Sequence, residues 1–303
     1  MTEINTKEVR LVLGHRILPV AQKCIHSIVD TSVQPLEFII HDDGTLTEND
    51  WSIIKELFNP VQTIRKDDSD KYINNILKDY PASQYYRDFG PTGLKLFDIH
   101  LLCDSDLFFF DADILFTKKF IIADFWELTL FPIIFQFGEG NAYRLSPIDF
   151  LYLGLSDPKL RINIKGQINS GIIAFKKDYY DLDFVEYFLS NPFVHKKLSK
   201  YNWWYEQTVH AILGSKYGCG MIDKKKIANT NSIDFSLDDQ CKLAGVHFTS
   251  PYRELIDNYI SITSRLKDVD EIIEITITKS APYGWPNSIW KHFKAKLKQT
   301  IFS

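Results

Sequence analysis

Residues 107–116 of this 303-residue chain read LFFFDADILF. The four consecutive apolar residues predict a strand that is buried on both faces, as in the centre of a parallel sheet. Two aspartates follow directly, Asp111 and Asp113, and their side chains cannot contribute to apolar packing. Carboxylate oxygens are the ligands that Mg²⁺ and Mn²⁺ prefer, and these cations also bind phosphate oxygens. The stretch therefore predicts a central strand ending in a divalent metal site, although a helix N-cap in a solvated turn is the plainer interpretation of the aspartates.

Strand and helix signals alternate through the residues that precede this stretch. Short apolar runs predict strands over 9–13, 37–41 and 61–65, and helical spacing of apolar residues predicts helices over 20–29, 47–57, 69–78 and 94–103. Repeated strand–helix units of this size are typical of a mainly parallel sheet with helices on both faces. We therefore expect an α/β sheet, flanked by helices, that contains the aspartate strand.

Polar turns follow three of the predicted strands. The first strand is followed by Gly14 and His15, the second by Asp42 and Asp43, and the aspartate strand by 111–113. Sheets of this kind bind their ligands beyond the carboxyl ends of the strands. We therefore expect these turns to lie together along one edge of the sheet.

The second half of the chain is less regular, and its polar candidates are individually weak. Predicted strands cover 172–175 and 246–248, and predicted helices cover 178–189, 204–213 and 252–266. His247 is the best histidine candidate for a further metal ligand, although a half-buried histidine bonded to backbone fits that position equally well. Lys95, Asn169, Glu206 and Gln207 are each as consistent with an exposed surface as with a functional site.

Taken in order, these segments resemble the GT-A glycosyltransferases, most closely the glycogenin and galactosyltransferase group of family 8. The ordered motifs are Lys95-Leu96-Phe97, Phe110-Asp111-Ala112-Asp113-Ile114-Leu115, Asn169-Ser170-Gly171-Ile172, Glu206-Gln207 and His247-Phe248. The segment His41-Asp42-Asp43-Gly44-Thr45-Leu46-Thr47 resembles the acidic nucleotide-binding turn of GT-A enzymes more broadly. The resemblance implies a GT-A fold, a Rossmann-like nucleotide-diphospho-sugar transferase fold with a mixed, mainly parallel sheet flanked by helices.

The resemblance also implies a role for each matching position. Asp111, Asp113 and His247 would hold Mn²⁺ or Mg²⁺ against the diphosphate of a nucleotide-sugar donor, most readily a UDP-sugar. The ion would act as a Lewis acid on the leaving nucleoside diphosphate. The residues implied to bind the donor are Gly14, His15, Asp42, Asp43, Lys95, Asp111, Ala112 and Arg253. The residues implied to line the sugar pocket and the reacting face are Asn169, Glu206 and Gln207.

Three departures from the family pattern leave the phosphate contact and the stereochemistry of transfer open. The Gly-x-x-Lys-Pro-Trp tail that usually follows the family histidine is absent, since 247–253 read HFTSPYR, so Arg253 is the candidate for its phosphate contact. Glu206-Gln207 stands where glycogenin-like proteins have Asp-Gln. The paired aspartates Asp42-Asp43 are more typical of inverting families. Retention, which we slightly favour, and inversion therefore both stay open.

Composition argues against several classes of function. The chain has 35 basic and 39 acidic residues, and this net charge of −4 disfavours a nucleic-acid-binding protein. Its four cysteines lie far apart without metal-finger spacing, so we expect reduced thiols and a cytoplasmic protein. No apolar run reaches the roughly 18 residues that a membrane-spanning helix needs.

We expect residues 1–260 to form the GT-A domain, with 1–116 as the nucleotide-binding half and 117–260 as the sugar and acceptor half. Residues 261–303 would form a helical extension. Within it, 286–302 is basic and amphipathic, which predicts either peripheral contact with an anionic membrane surface or a helix packed on the domain. Membrane contact would suit a lipid-linked acceptor, and glycan and protein acceptors are equally open.

Two other classes of protein can contain an Asp-x-Asp pair after an apolar strand. In haloacid-dehalogenase-type phosphatases the first aspartate is a nucleophile, and the motif normally lies near the N-terminus. The later acidic pair that such an enzyme needs could here only be Asp238-Asp239, which follows no apolar strand. A GT-A-like binding module without activity would generally have lost the metal aspartates, and both are present. The glycosyltransferase hypothesis is therefore preferred.

Overall fold

The computed structural model describes residues 7–57, 61–121, 131–138, 143–200, 204–230, 243–250, 252–263, 272 and 275–283. Its strands are β1 (Lys7–Leu13), β2 (Leu36–Asp42), β3 (Val61–Ile64), β4 (Leu107–Phe110), β5 (Ile114–Phe116), β6 (Ile133–Phe137), β7 (Ile168–Phe175), β8 (Cys219–Ile222), β9 (Ile227–Asn229), β10 (Gly245–His247) and β11 (Ile277–Lys279). Its helices are α1 (Leu18–Thr31), α2 (Glu48–Leu57), α3 (Lys66–Leu77), α4 (Pro81–Phe89), α5 (Gly93–Leu96), α6 (Asp98–Leu101), α7 (Pro147–Ser156), α8 (Leu182–Leu189), α9 (Pro192–Leu198), α10 (Tyr205–Tyr217) and α11 (Ile256–Thr263).

Eight strands form one mixed sheet in the order β11-β8-β6-β7-β4-β1-β2-β3. The pairs β1–β2, β1–β4, β2–β3 and β6–β8 are parallel, whereas β4–β7, β6–β7 and β8–β11 are antiparallel. The expected mixed, mainly parallel sheet is therefore confirmed. Because β7 runs antiparallel to β4, its first residues lie beside the carboxyl end of the aspartate strand.

The side chains of β4 alternate between two apolar layers, one on each face of the sheet. Leu107 and Phe109 pack into a core that helices α3 to α10 help to build, and Phe108 and Phe110 pack into a core shared with α1 and α2. All four side chains are at most 2% exposed. The prediction of a strand buried on both faces is therefore confirmed.

A second sheet, in the order β5-β10-β9, continues from the end of β4. Strand β5 follows the turn 111–113 and pairs antiparallel with β10, which places His247 opposite Ile114. Strand β10 is also parallel to β9, with His247 opposite Asn229. This small sheet therefore brings His247 back to the aspartate turn.

Three predicted helices differ from the observed ones. The helix predicted over 94–103 is two short helices, because the chain turns at Phe97 and the buried Asp98, ion-paired with Arg87, begins α6. The helix predicted over 178–189 begins only at α8, where the Asp181 side chain accepts a hydrogen bond from the Phe184 N–H and caps the first turn. The helix predicted over 252–266 starts as a 3-10 turn before α11.

Several predictions fall outside the described residues, among them the C-terminal run 286–302, the acidic pair Asp238-Asp239 and Cys241. The other three cysteines are buried free thiols. Within the ranges given above, none of the helices combines the length and the apolar character required to cross a membrane.

Candidate metal and donor-binding site

Asp111, Asp113 and His247 meet at the carboxyl end of β4. His247 Nε2 lies 3.1 Å from Asp113 Oδ1 and 3.7 Å from Asp111 Oδ2. One ligand atom from each residue lies within 4.8 Å of the other two. Carboxylate oxygens together with an imidazole nitrogen are suitable ligands for a divalent cation such as Mn²⁺. The structure therefore brings together the three residues predicted as metal ligands.

Two basic side chains bind the same carboxylates. Lys95 Nζ, from α5, donates to both carboxylate oxygens of Asp111 at 2.8 Å. Arg253 donates to Asp113 Oδ2 through Nε and Nη2, each at 2.7 Å. Lys95 is buried, whereas the Arg253 side chain is 45% exposed. Burial therefore holds the Lys95 side chain in place, whereas the partly exposed Arg253 side chain has room to move.

The electrostatics of the site favour the charged forms of Lys95 and Asp113, whereas burial raises the pKa of Asp111. Burial disfavours the charge of Lys95, but its acidic neighbours, Asp111 first, outweigh burial and raise its pKa above the ordinary value. Burial likewise disfavours the charge of Asp113, yet His247 and Arg253 lower its pKa to about 2. Asp113 is therefore a carboxylate at neutral pH, as a metal ligand must be.

One oxygen of Asp113 lacks a hydrogen-bond donor. Asp113 Oδ1 is fully buried and, when the His247 ring is neutral, receives no hydrogen bond from the residues that the structure describes. It faces His247 Nε2 at 3.1 Å. A buried carboxylate oxygen without a donor is costly, and a cation bound between the three ligands would satisfy it. The residues present therefore fit a divalent ion.

A chain of hydrogen bonds assigns the tautomer of His247. The backbone carbonyl of Phe137 can only accept, so Asn229 donates to it through Nδ2 at 2.8 Å. Asn229 Oδ1 then accepts from Gln136 Nε2 at 3.1 Å, which leaves Gln136 Oε1 to accept from His247 Nδ1 at 3.0 Å. His247 thus carries a proton on Nδ1, and in the neutral ring the lone pair of Nε2 faces the carboxylates, as metal binding requires.

Strand β7 passes so close to His247 that Gly171 must lack a side chain. A Cβ atom at this position would overlap the imidazole ring of His247. The Gly171 carbonyl accepts from the Asp111 N–H at 2.7 Å, and the Gly171 N–H donates to Asn169 Oδ1 at 2.7 Å. The backbone of the Asn169-Ser170-Gly171 motif therefore forms one wall of the site.

Glu206 lies on α10, buried and within electrostatic reach of Lys95. Its Oε1 pairs with His210 Nδ1 at 2.6 Å, and its Oε2 accepts from Ser170 Oγ at 3.1 Å. His210 Nε2 in turn lies 3.0 Å from His100 Nε2. Burial opposes ionisation of Glu206, but Lys95 and His210 lower its pKa below the usual range. The arrangement holds an ionised carboxylate in a fixed orientation.

Three further predicted residues lie close to this arrangement. Asn169 is half-buried and donates through Nδ2 to Asn229 Oδ1 at 3.5 Å. Gln207 is buried and donates through Nε2 to the Ile168 carbonyl at 2.8 Å. The methyl group of Ala112 lies in an apolar core, so only its backbone is available to a ligand.

A second polar group lies at the carboxyl ends of β1 and β2, which neighbour β4 in the sheet. Asp42 and Asp43 each accept backbone N–H bonds within their own turn. His15 Nδ1 lies 2.8 Å from Asp50 Oδ2. A Cβ at Gly14 would overlap the Asp43 carboxylate, so the two turns touch. The expectation that the polar turns share one sheet edge is confirmed.

Sequence reasoning assigned no role to four residues of the site, namely Gln136, Ser170, His210 and Asn229. Gln136 is the single polar residue in the apolar strand β6 (IIFQF), and this is a signal that could have identified it. The other three are polar residues in segments with many polar neighbours, and their roles depend on contacts between distant parts of the chain.

No protein-family model and no curated protein matches the sequence. Solved structures match through the fold. Mouse xyloside xylosyltransferase 1 is similar with a TM-score of 0.53 and 12% identity, over 82% of this chain and 99% of that chain. An active-site mutant of LgtC is similar with a TM-score of 0.51 and 10% identity, over 85% and 95%. The bifunctional glycosyltransferase WbbM is similar with a TM-score of 0.51 and 11% identity, over 87% and 50%.

These similar structures are GT-A glycosyltransferases. At 10 to 12% identity the likeness concerns the fold, and it covers more than four fifths of this chain in each case. The chain therefore has the GT-A fold that its sequence predicts.

Proposed function

We propose that this chain is a metal-dependent glycosyltransferase that moves a sugar from a nucleotide-diphosphate sugar to an acceptor. The observation that carries the proposal is the cluster of Asp111, Asp113 and His247 at the carboxyl edge of β4, with the Nε2 lone pair of His247 directed at the carboxylates. The GT-A fold supports the same function. A UDP-sugar is the donor we favour, with Mn²⁺ or Mg²⁺ as the ion, in an enzyme of the family 8 type.

Asp111, Asp113 and His247 would hold the ion in this function. When bound, it would supply Lewis-acid neutralisation of the charge on the departing nucleoside diphosphate. Lys95 and Arg253 bind the same carboxylates and can donate to diphosphate oxygens from there. Arg253 is the better candidate for a contact made only with the donor present, because its side chain is nearly half exposed.

Glu206 is proposed to act at the reacting face of the sugar. It is an ionised carboxylate whose orientation Ser170 and His210 fix. A preorganised negative charge stabilises the positive charge that develops on the sugar carbon during glycosyl transfer. Asn169 and Gln207 would line the same pocket. Retention is slightly favoured, because the order of motifs resembles that of family 8.

Gly14, His15, Asp42 and Asp43 are proposed to bind the base or ribose, because their turns share a sheet edge with the metal-binding cluster. Ala112 would contribute through its backbone. The acceptor would be a glycan, a lipid-linked sugar or a protein, since a fold does not by itself select among them.

Thermal melting with UDP, GDP, CMP and their sugars, each with and without Mn²⁺, tests this proposal. We expect a rise in melting temperature that needs both the metal and one nucleotide, because a ligand that binds only the folded state stabilises it. Asp113→Asn should abolish the rise, since the amide removes a charged ligand. Asp30→Asn, at an exposed position on α1, is the matched control and should leave it intact.

Two results would contradict the proposal. Stabilisation by Mg²⁺ with a phosphate mimic but by no nucleotide, together with a phospho-aspartyl intermediate at Asp111, would identify a phosphatase. The absence of any metal-dependent or nucleotide-dependent shift would leave a binding module with the same fold.

A further inference from the structure

Helix α7 carries an apolar stripe on its outward face. Ile148, Leu151, Tyr152 and Leu155 are 52, 41, 54 and 71% exposed, and their spacing of three and four residues places them on one side of the helix. The opposite side also is apolar, with Phe150 and Leu153 buried in the core. A helix with apolar residues on two opposite sides is normally covered on both, and the α7 stripe, meaning these four exposed residues, is an unusually large exposed apolar face.

The α7 stripe continues onto its surroundings. The ring of Tyr152 packs against Phe193 of α9 at 4.9 Å between centroids. On the other side, a groove of about 150 Å³ is lined by Leu151, Leu155, Arg161 and Tyr283 among others. Four of the twelve exposed large apolar side chains among the described residues belong to this one helix. They therefore form a patch rather than being spread singly over the surface.

The rim of the α7 stripe carries basic side chains. Arg161 lines the groove, and Lys159 lies over the ring of Tyr187. Lys196 is exposed on α9, one helical turn from Phe193, and has no ion-pair partner within the described part of the chain. An apolar face with a basic rim matches the interface of an anionic bilayer, where acyl chains lie below negatively charged headgroups.

The acidic groups nearby are already engaged. Asp149 pairs with Lys197 at 3.0 Å and accepts from the Ser146 hydroxyl and N–H. Asp157 accepts a hydrogen bond from the Tyr187 hydroxyl. The charge of Asp149 is therefore offset by Lys197, and Arg161, Lys159 and Lys196 remain available to headgroups.

The sequence at the C-terminus supports the same partner. Tyr283 lines the groove, and its ring packs against Phe150 of α7 at 6.3 Å between centroids. The basic, amphipathic run 286–302 begins three positions further along the chain. Tyr283, the last described residue before that run, therefore lies against α7, and the composition of the run also suits an anionic membrane surface.

We propose that the α7 stripe and its basic rim form a docking surface for an anionic lipid bilayer. The stripe lies on the connection between β6 and β7, and both ends of that connection reach the candidate site through Phe137 and Asn169. Docking through α7 would therefore hold the candidate site close to the membrane surface. The docking itself does not depend on the proposed transferase activity.

Vesicle sedimentation with the full chain tests the proposal. The probes are vesicles of phosphatidylcholine with an equal share of phosphatidylglycerol, and vesicles of phosphatidylcholine alone. We expect binding to the anionic vesicles that weakens at high salt, and a drop in partition coefficient of roughly tenfold or more in the double variant Leu151→Glu/Leu155→Glu. The matched control Tyr72→Glu changes an apolar side chain that is 68% exposed on α3, and it should bind like the wild type.

Three outcomes would overturn the proposal. The first is absence of wild-type binding to anionic vesicles, and the second is equal binding by the double variant. The third is a dimer in light scattering that the double variant dissolves while vesicle binding is absent, which would assign the stripe to a second copy of the chain. The double variant should keep the metal-dependent melting response, so a failure of docking is distinguishable from a failure of the proposed function.

Discussion

Two buried histidine–carboxylate clusters lie near Lys95, and they differ in whether all their polar atoms have hydrogen-bond partners. In the cluster of Asp111, Asp113 and His247, Asp113 Oδ1 receives no hydrogen bond from the described residues, and the lone pair of His247 Nε2 faces it. We call this the open cluster. These two atoms without hydrogen-bond partners face each other, which is the basis for proposing that the open cluster binds a cation.

The second cluster consists of Glu206, His210, His100 and Ser170, and we call it the closed cluster. Both oxygens of Glu206 are hydrogen-bonded, and both ring nitrogens of His210 have partners. With both Glu206 oxygens and both His210 ring nitrogens partnered, the closed cluster holds one carboxylate in a fixed orientation. The comparison indicates that similar residue types suit a ligand site or a supporting role according to whether their hydrogen bonds are complete.

The largest expected effect separates the two clusters by function. Glu206→Gln should lower the rate of sugar transfer or donor hydrolysis on the order of 10²–10³-fold, because it removes a preorganised charge. Mn²⁺ affinity, measured by electron paramagnetic resonance, should change little because Glu206 belongs to the closed cluster. Equal losses of rate and of Mn²⁺ affinity would show that the clusters are one functional unit.

A smaller effect concerns how the open cluster is oriented. Gln136→Leu removes the acceptor for His247 Nδ1 and should weaken Mn²⁺ binding about 10–100-fold, since outer partners fix the tautomer of a metal-binding histidine. Gln136→Glu is the matched variant, because it keeps an acceptor at the same place and should retain more of the affinity. Unchanged Mn²⁺ binding in Gln136→Leu would refute the assigned hydrogen-bond chain.

The smallest effect is on stability and concerns the closed cluster. Burial, and then His210, place the pKa of His100 well below the ordinary value, so the folded protein keeps this ring neutral. The unfolded chain binds a proton there below about pH 6.5, and stability should therefore fall by about 1.4 kcal/mol for each pH unit below that value. His100→Gln should show a shallower loss in urea unfolding between about pH 6.5 and pH 5.

His41 should contribute a similar slope in the wild type and in the His100→Gln variant. Burial and then Arg10 lower the pKa of His41 to about 3, so it also stays neutral in the folded protein through this window. The contribution of His41 to the pH dependence of stability therefore cancels when the wild type is compared with His100→Gln. Identical slopes in both would mean that His100 takes up a proton without cost to folding.

The sequence predicts the first half of the fold better than the second. Strands β1 to β4 and helices α1 to α3 have local signals, namely short apolar runs, helical spacing and polar turns, and their bounds agree within a few residues. The place of β7 between β4 and β6 has no local signal, because it depends on pairing between segments far apart in the chain. Strands β5, β8, β9 and β11 are likewise not predicted from the sequence.

The candidate site shows the same division. The sequence predicts Asp111 and Asp113 because two charged side chains after a buried strand cannot contribute to apolar packing. It predicts His247 because this residue ends an apolar segment. No local pattern identifies the roles of Gln136 and Asn229, because their hydrogen-bond chain exists only after β6, β9 and β10 are brought together. The proposed metal ligands are therefore easier to predict from sequence than the residues that orient them.

The bare backbone at Gly171 has a consequence for any protein that shares this arrangement. Glycine inside a strand costs on the order of 0.5–1 kcal/mol relative to alanine, so replacing it by a larger residue would stabilise the strand if no other contact were affected. Here even a methyl group would displace the imidazole of His247. A histidine on one strand and a side chain on the other are thus mutually exclusive, and across diverged sequences the two positions should vary as a pair.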